Sequence, residues 1–571
     1  MITRAGSTGT PPVDPDSETF VDGEDAGSGS TRNETTEALG VASWTLVSRV
    51  SGLIRVAVAG AILGPTFFAN IFQATNTVPN ITYSLMAGSL LASLVVPALV
   101  ETLDRHGPER ARAVAQGLLG VVIMGFCAAG LVVIALGPII VHLLTIGIPA
   151  GPGARAARFQ AWVLLLLVVP QILLYGIAGL GIAAQNAQRR FLLAAAAPTV
   201  ENVGLIATLL FLAYRFGSGF DNRQVPSGYL VLLGAGATLS VAAHAGLQVM
   251  GAARAGLPLW PRWGWGDPVV RQVAHRAVPA MGTAALDAGA LFALIVAAGT
   301  VPGGVVALQI GLNFFNLPIA ISARAVGTVM LPGLARDAVR GHLDSFAKAY
   351  GRALSTTWFV AVPASVALVL LARPIAQALS FGKLQHGDGI ELVAVSVAGL
   401  APALLGGSTN ELAQQASYAR RNVLAPLIAG FAQVVVVLAG VVVAVLMFDG
   451  ASTLLACGVA VVVAHLVQAL IVDRSVRRDL PPLPTSRWHA LARHFLVSGM
   501  TIVPAALLGR LVAHVGASRV TTIAGVVGGT VAGLVAYIGV QMILHAPEVT
   551  ALRRANDASG PLTPLTEGSV L

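Results

Sequence analysis

The sequence predicts an all-α, polytopic membrane protein of about fourteen transmembrane helices. Three observations support that expectation. Of 571 residues, 55% are hydrophobic and 11% charged, with a mean hydropathy of +0.78; soluble domains carry roughly 25% charged residues. Apolar runs of about 20 residues, enough to cross a ~30 Å hydrocarbon core, recur along nearly the whole chain. The long polar/apolar alternation of a membrane barrel is missing. The 63 glycines suit helices whose backbones approach closely in lipid.

Residues 1–37 set Asp14, Asp16, Glu18, Asp22, Glu24, Asp25, Glu34 and Glu37 against only Arg4 and Arg32. With so little apolar surface to offset its ordering entropy, this segment is expected to be a disordered acidic tail. No basic n-region precedes the first span, which argues against a cleaved signal peptide. Spans are expected near 39–63, 76–100, 113–144, 160–184, 194–214, 228–252, 273–299, 304–333, 352–380, 391–417, 423–447, 451–473, 493–514 and 521–545. The third is long enough to bend, with Gly137-Pro138 as the cause.

Basic residues set the orientation. Loops after even-numbered spans carry Arg105, Arg110 and Arg112, then Arg189 and Arg190, Arg254, Arg262 and Arg271, Arg336, Arg340 and Lys348, Arg420 and Arg421, and Arg474, Arg477, Arg478 and Arg487. Loops after odd-numbered spans carry few. The positive-inside rule then puts both termini in the cytoplasm and the spans in the inner, or plasma, membrane. The net charge of +9 is thus a topology signal, and no nucleic-acid partner is expected.

An internal repeat follows from four landmarks. Pro97 and Pro332 are 235 residues apart, Pro138 and Pro374 are 236, Pro170 and Pro402 are 232, and Arg189 and Arg420 are 231. That offset covers six spans, an even number, so the repeats enter the membrane in the same sense, with a binding site expected between them. The expected organisation is an N-terminal six-helix lobe (38–255), a C-terminal six-helix lobe (270–480), two extra helices (490–546) and a cytoplasmic tail (547–571).

Charged residues inside spans are the candidates for function. Arg49 and Arg55 lie within the first span. Each costs about 2.5–3.5 kcal/mol at mid-membrane, and their spacing puts them about 120° apart around the helix. Such guanidinium groups either serve a wet cavity that takes a phosphate-bearing ligand or pair internally to hold the bundle. Asp287 and Arg324 are open to three readings: headgroup contact, ion coupling, or a bridge to each other. Glu201 and Glu411 are placed nearer the cytoplasmic ends, as solvated or capping residues. Pro79, Pro318 and Pro402 mark spans that bend or break beside a cavity.

Enzymatic signatures such as GxSxG, a P-loop or HExxH do not occur, so no enzyme is expected. Cys127 and Cys457 sit in apolar runs and read as packing residues. No cofactor or metal is expected.

Several segments resemble the MurJ (MviN) lipid II flippases of the multidrug/oligosaccharidyl-lipid/polysaccharide exporter superfamily. They are SRVSGLIR and ANIFQATNTVPN near the start, LGIAAQNAQRRFLLAAAAPTVENVGLI, NLPIAISARAVGTVMLPGLAR and LARPIAQALSFG. The resemblance covers residues 38–545 in order. It implies a flippase that moves a polyprenyl-diphosphate-linked cell-wall precursor by alternating access. It further implies substrate contacts from Arg49 and Arg55; Asn80, Asn313 and Arg324 are further candidates for substrate contact, and Asp287 and Glu411 for coupling or structural roles. Implied partners are the lipid-linked glycan, membrane lipids and cell-wall synthesis proteins. The chain departs from the family pattern at Asn70, Thr77, Tyr83-Ser84, Gly88 and Asn313, where charged residues are usual. The alternatives are a cation-coupled, MATE-like drug exporter using Asp287 and a non-transporting scaffold for wall-synthesis enzymes.

Overall fold

The computed structural model describes residues 26–86, 94–482, 487–516 and 518–550; among these, side chains 26–39, 278–280 and 283 are not described. Every regular element described is helical. Helix α1 (Ala26–Leu63) starts earlier than the first expected span and ends where Gly64 adopts a left-handed φ of +75° before Pro65. Residues 26–37 of the expected disordered tail are therefore helical, whereas 1–25 lie outside the described residues. Helix α2 (Phe67–Met86) continues through Pro79, so that proline does not break its span. Helix α3 (Val96–Ala135) is broken at Gly107 (φ 78°, ψ 177°), followed by Pro108, which separates the second and third spans. Helix α4 (Gly137–Leu144) begins at the Gly137-Pro138 pair expected to bend the third.

Helices α5 (Pro152–Val168) and α6 (Pro170–Ala187) form one apolar stretch interrupted at Pro170. Helices α7 (Phe191–Phe216) and α8 (Ser227–Arg254) complete the first group. The second contains α9 (Pro268–Gly299), α10 (Gly304–Ile319), a π-helical turn over Ala320–Arg324, α11 (Ala325–Arg340) and α12 (Leu343–Leu379). It continues with α13 (Gly389–Leu400), α14 (Ala403–Ala419), α15 (Leu424–Met447) and α16 (Ala451–Arg477). The π turn follows Pro318, whose ring cannot join the regular ladder; α13 and α14 bend by 45° at Pro402. Helices α17 (Arg487–Val515) and α18 (Arg519–Ile543) come last.

Eleven helical stretches are long and apolar enough to cross a membrane, and the bent α13–α14 pair makes twelve. Helices α2 and α9 fall short of that test, α2 through its amide and hydroxyl residues; counted with the others, they are consistent with about fourteen spans. In the first group α1 packs on α7, α7 on α8, and α8 on α5 and α6. In the second α9 packs on α15, α15 on α16, and α16 on α13 and α14. The groups meet where α2 lies against α9 and α10 and where α1 crosses α10. Helices α17 and α18 pack on each other and against α12.

The internal repeat reappears in the backbone. Arg189 and Arg421 are both left-handed, with φ of 54° and 57°, a conformation uncommon outside glycine. Each sits in the same turn: Arg190 N donates to Gln185 O at 2.9 Å, and Asn422 N donates to Ser417 O at 2.9 Å.

Beyond α18 the chain reverses at His545, and Ala546, Glu548 and Val549 are buried. Glu548 accepts from Arg493 Nη2 at 2.7 and 2.6 Å and from the Ser355 hydroxyl, and His494 Nε2 lies 3.7 Å away. The expected free tail from 547 is thus docked on α12 and α17 as far as Thr550; residues 551–571 lie outside the described residues.

Candidate headgroup cavity

The contact region between the helix groups is polar because α2 presents one amide or hydroxyl side chain after another. Gln73, Asn76, Thr77 and Asn80 recur at spacings of three and four, which puts them on one helical face. Opposite them, α10 supplies Gln309, Asn313 and Asn316. Gln309 Nε2 donates to Thr77 Oγ1 at 2.8 Å, linking the two groups through uncharged side chains. Asn313 Nδ2 turns back to Gln309 O at 2.8 Å, which occupies one donor within its own helix. Together with Arg49, Leu53 and Arg55 of α1, these residues line a cavity of about 260 Å³. An adjoining space of about 550 Å³ shares Arg49, Arg55, Asn80, Tyr175, Glu201 and Asn313 and extends to His244.

The two arginines differ in their partners. Among the described residues Arg49 has no hydrogen bond or ion pair, and it is exposed toward the cavity. Arg55 Nη1 lies 3.7 Å from Glu201 Oε1. Glu201 also accepts from the Tyr175 hydroxyl at 2.8 Å and meets His244 Nδ1 at 3.0 Å. His244 continues to Gln248, and Gln248 to Gln185. Glu201 is therefore a half-buried, hydrogen-bonded centre of the cavity wall, not the solvated or capping residue expected. The ionisable residues lining the two spaces are Arg49, Arg55, Glu201, Tyr175, Tyr83 and His244, which gives a formal charge of +1 with tyrosine and histidine neutral.

Four candidate residues thus share one cavity: Arg49, Arg55, Asn80 and Asn313. Arg324, Asp287 and Glu411 are not among its lining residues. Arg324, at the end of the π turn, lies 3.7 Å from Glu411, and no Asp287–Arg324 ion pair occurs among the described residues. The π turn carries Arg324 to the α14 side, where Glu411 is within reach. Asp287 is close enough to Glu411 and Tyr418 to interact electrostatically, so the three ionisable residues form a separate cluster.

Sequence reasoning overlooked His244 and Tyr175 and placed Glu201 too near the cytoplasmic end, although depth could have revealed all three. Glu201 is ten residues into α7 and His244 ten residues before the end of α8. Both therefore sit ~15 Å from the same ends of adjacent helices. Tyr175, twelve residues before the end of α6, lies at a comparable ~18 Å.

One end of the cavity is shut by backbone contacts between the groups. Asn70 Nδ2 donates to Val301 O at 2.7 Å and Gly299 O at 3.3 Å, while its Oδ1 accepts from Val305 N at 3.0 Å. Gly303 N donates to Thr66 O at 3.3 Å beside them. A carboxylate at position 70 could accept but not donate, so an amide here has a direct structural use.

The comparisons with known proteins agree with this architecture. The family model described as Lipid II flippase MurJ matches residues 59–536. A probable lipid II flippase MurJ of Vibrio cholerae is 26% identical over 398 residues, 68% of this chain and 73% of that protein. One from Rhizobium meliloti is 30% identical over 339 residues, 59% of this chain and 61% of that protein. A solved structure of lipid II flippase MurJ in an inward closed conformation superposes with a TM-score of 0.66 at 17% identity, covering 88% of this chain and 99% of that one. An inward-facing MATE family transporter of the MOP superfamily shares the fold at a TM-score of 0.58 and 13% identity, covering 80% of this chain and 99% of that one. With the family model spanning most of the sequence, the chain belongs to the lipid II flippase MurJ family.

Proposed function

We propose that this chain translocates a polyprenyl-diphosphate-linked cell-wall precursor, lipid II or a related lipid-linked glycan, across the inner membrane by alternating access. The lobes 38–255 and 270–480 rock about the central cavity, helices 490–546 flank them, and both termini are cytoplasmic. The observation that carries this reading is Arg49: a guanidinium in the cavity with no described partner, one helical turn and a half from an Arg55 already balanced by Glu201. A guanidinium binds phosphate oxygens through paired N–H donors and keeps its charge. Asn80, Asn313 and Gln309 offer uncharged donors and acceptors suited to sugar hydroxyls.

The diphosphate meets Arg49 first and then competes with Glu201 for Arg55. The empty cavity keeps a formal charge of +1, so an inside-negative potential draws it back to the cytoplasmic side. One elementary charge moved across 100 mV is worth about 2.3 kcal/mol, roughly a fiftyfold bias in the resting equilibrium. The Asn70 contacts lie at the end away from the start of α1, which supports a resting form closed on the outer face.

The test is complementation in cells depleted of the protein, with the lipid-linked precursor of the inner leaflet quantified. Arg49→Ala is expected to fail to rescue growth while the precursor accumulates, and Arg49→Lys to rescue partly. Full rescue by Arg49→Ala without accumulation would overturn the reading.

A further inference from the structure

A third cavity, of about 760 Å³, lies nearer the start of α1 and is not used by the function just described. Its walls are the helices that also wall the deeper chamber. Helix α1 gives Trp44 to the outer space and Thr45 to the inner; α6 gives Gln185 and Ile182; α7 gives Leu192 and Ala195; α8 gives Gly251 and His244. No step along a helix exceeds seven residues, about two turns, so the two spaces are stacked along the same four helices.

The outer space is strongly cationic. Arg189, Arg190 and Arg254 line it, and no carboxylate does among the described side chains. Among the described residues none of these arginine side chains has a hydrogen-bond or ion-pair partner, and all are exposed. Trp44, Phe191 and Leu192 give it an exposed apolar rim. A tryptophan and arginines at the ends of apolar helices mark the level of lipid headgroups. Three positive charges suit a diphosphate better than a phosphodiester with a single negative charge, and the rim suits an attached hydrocarbon chain.

We propose that this outer space is a receiving site for a lipid-borne diphosphate, which is captured there from the leaflet before it passes along α1 to Arg49. The proposal rests on the flippase reading for its destination but not for its own chemistry. Headgroup transfer then runs along α1, from the Arg189–Arg190–Arg254 cluster beside Trp44 to Arg49 and then Arg55.

The experiment uses the full chain in phosphatidylcholine nanodiscs with undecaprenyl diphosphate as the probe, counted by native mass spectrometry. The wild-type chain is expected to hold one headgroup more than Arg189→Gln/Arg190→Gln/Arg254→Gln. Affinity for that extra molecule should fall by at least about tenfold in the triple variant, the scale of losing charge-assisted hydrogen bonds. Should the triple variant misfold, Arg254→Gln alone, on the exposed last turn of α8, is expected to weaken the same binding severalfold. Wild-type stoichiometry and affinity in both variants would overturn the proposal. So would displacement of the extra molecule by equimolar phosphatidylglycerol, or equal binding of inorganic pyrophosphate, since either would make the polyprenyl diphosphate incidental. Arg49→Gln separates the two ideas: loss of a headgroup there with none lost in the arginine triple leaves the flippase reading and removes the receiving site. The reverse pattern keeps the receiving site and removes Arg49 from the flippase reading.

Discussion

Asn70 and Val305 are 235 positions apart in sequence, yet the Val305 amide donates to Asn70 Oδ1 at 3.0 Å in the contact that shuts one end of the cavity. Because the Asn70 amide also donates to Val301 O and Gly299 O, a single side chain satisfies three backbone groups of the α9–α10 turn. Asn70→Ala leaves Gly299 O and Val305 N without that partner, at about 1–3 kcal/mol each before relaxation, while Val301 O keeps the Gly304 amide. The expected result is faster labelling of Leu308→Cys by an impermeant maleimide added outside, with Cys127 and Cys457 replaced by Ala. Asn70→Asp should label at least as fast as wild type, since its carboxylate would face two carbonyls. Unchanged labelling in Asn70→Ala would remove the closure role.

Glu201 sets how strongly the cavity holds an anion. Glu201→Gln keeps a partner for Tyr175 but releases Arg55, raising the formal cavity charge from +1 to +2. Affinity for undecaprenyl diphosphate is expected to rise roughly 5- to 10-fold, as one charge interaction in a wet cavity allows, while turnover falls because release slows. Titration at low and high salt checks this, and the gain should shrink as salt rises.

Glu548 gives the C-terminal hairpin an acid-dependent stability. Burial pushes its carboxyl up, but the neighbouring His494, hydrogen bonds from Ser355 and backbone, and the Arg493 charge outweigh it and hold the value down to about 2 from an ordinary 4.5. A depressed carboxyl pKa contributes stability above the ordinary value, and that stability is lost as pH falls from 4.5 toward 2. The contribution at neutral pH is on the order of 3 kcal/mol. Thermal melts of the wild-type chain should therefore drop between pH 5 and pH 3. Glu548→Gln should melt lower at pH 7 and lose most of that pH dependence.

Close backbone approach holds α17 to α18. A Cβ at Gly509 would lie 2.4 Å from Gly525 O and 3.1 Å from Gly529 Cα, and one at Gly525 would lie 2.4 Å from Gly509 O. Gly509→Val must push the helices apart and is expected to cost more than about 2 kcal/mol, read as a lower melting temperature. Gly528 meets nothing within 4 Å, so Gly528→Ala should be neutral or slightly stabilising.

Much of the architecture was legible because lipid imposes it. Apolar length foretold the helices, and the prolines at 138, 318 and 402 their breaks, whereas Pro79 leaves α2 continuous and the expected span 160–184 is interrupted at Pro170. The left-handed turns fall at Arg189 and Arg421, one residue from the Arg189/Arg420 landmark. Arg49 and Arg55 stood out because fixed charge in a span is costly. Their unequal state was not legible, since it depends on Glu201 and His244, which come from helices distant in sequence. Of the three readings open for Asp287 and Arg324, their mutual bridge does not occur among the described residues. The π turn delivers Arg324 to Glu411 instead.

The polar face of α2 has consequences for biogenesis as well as for ligand binding. A segment bearing Asn70, Gln73, Asn76, Thr77 and Asn80 is too hydrophilic to partition into lipid unaided during synthesis. It must wait beside the translocon until companions can shield those amides, and α10, which pairs Gln309 with Thr77, is made more than two hundred residues later. The early bundle therefore depends on α1, α5 and α6 to retain α2. Lesions on those surfaces should appear first as failed membrane insertion.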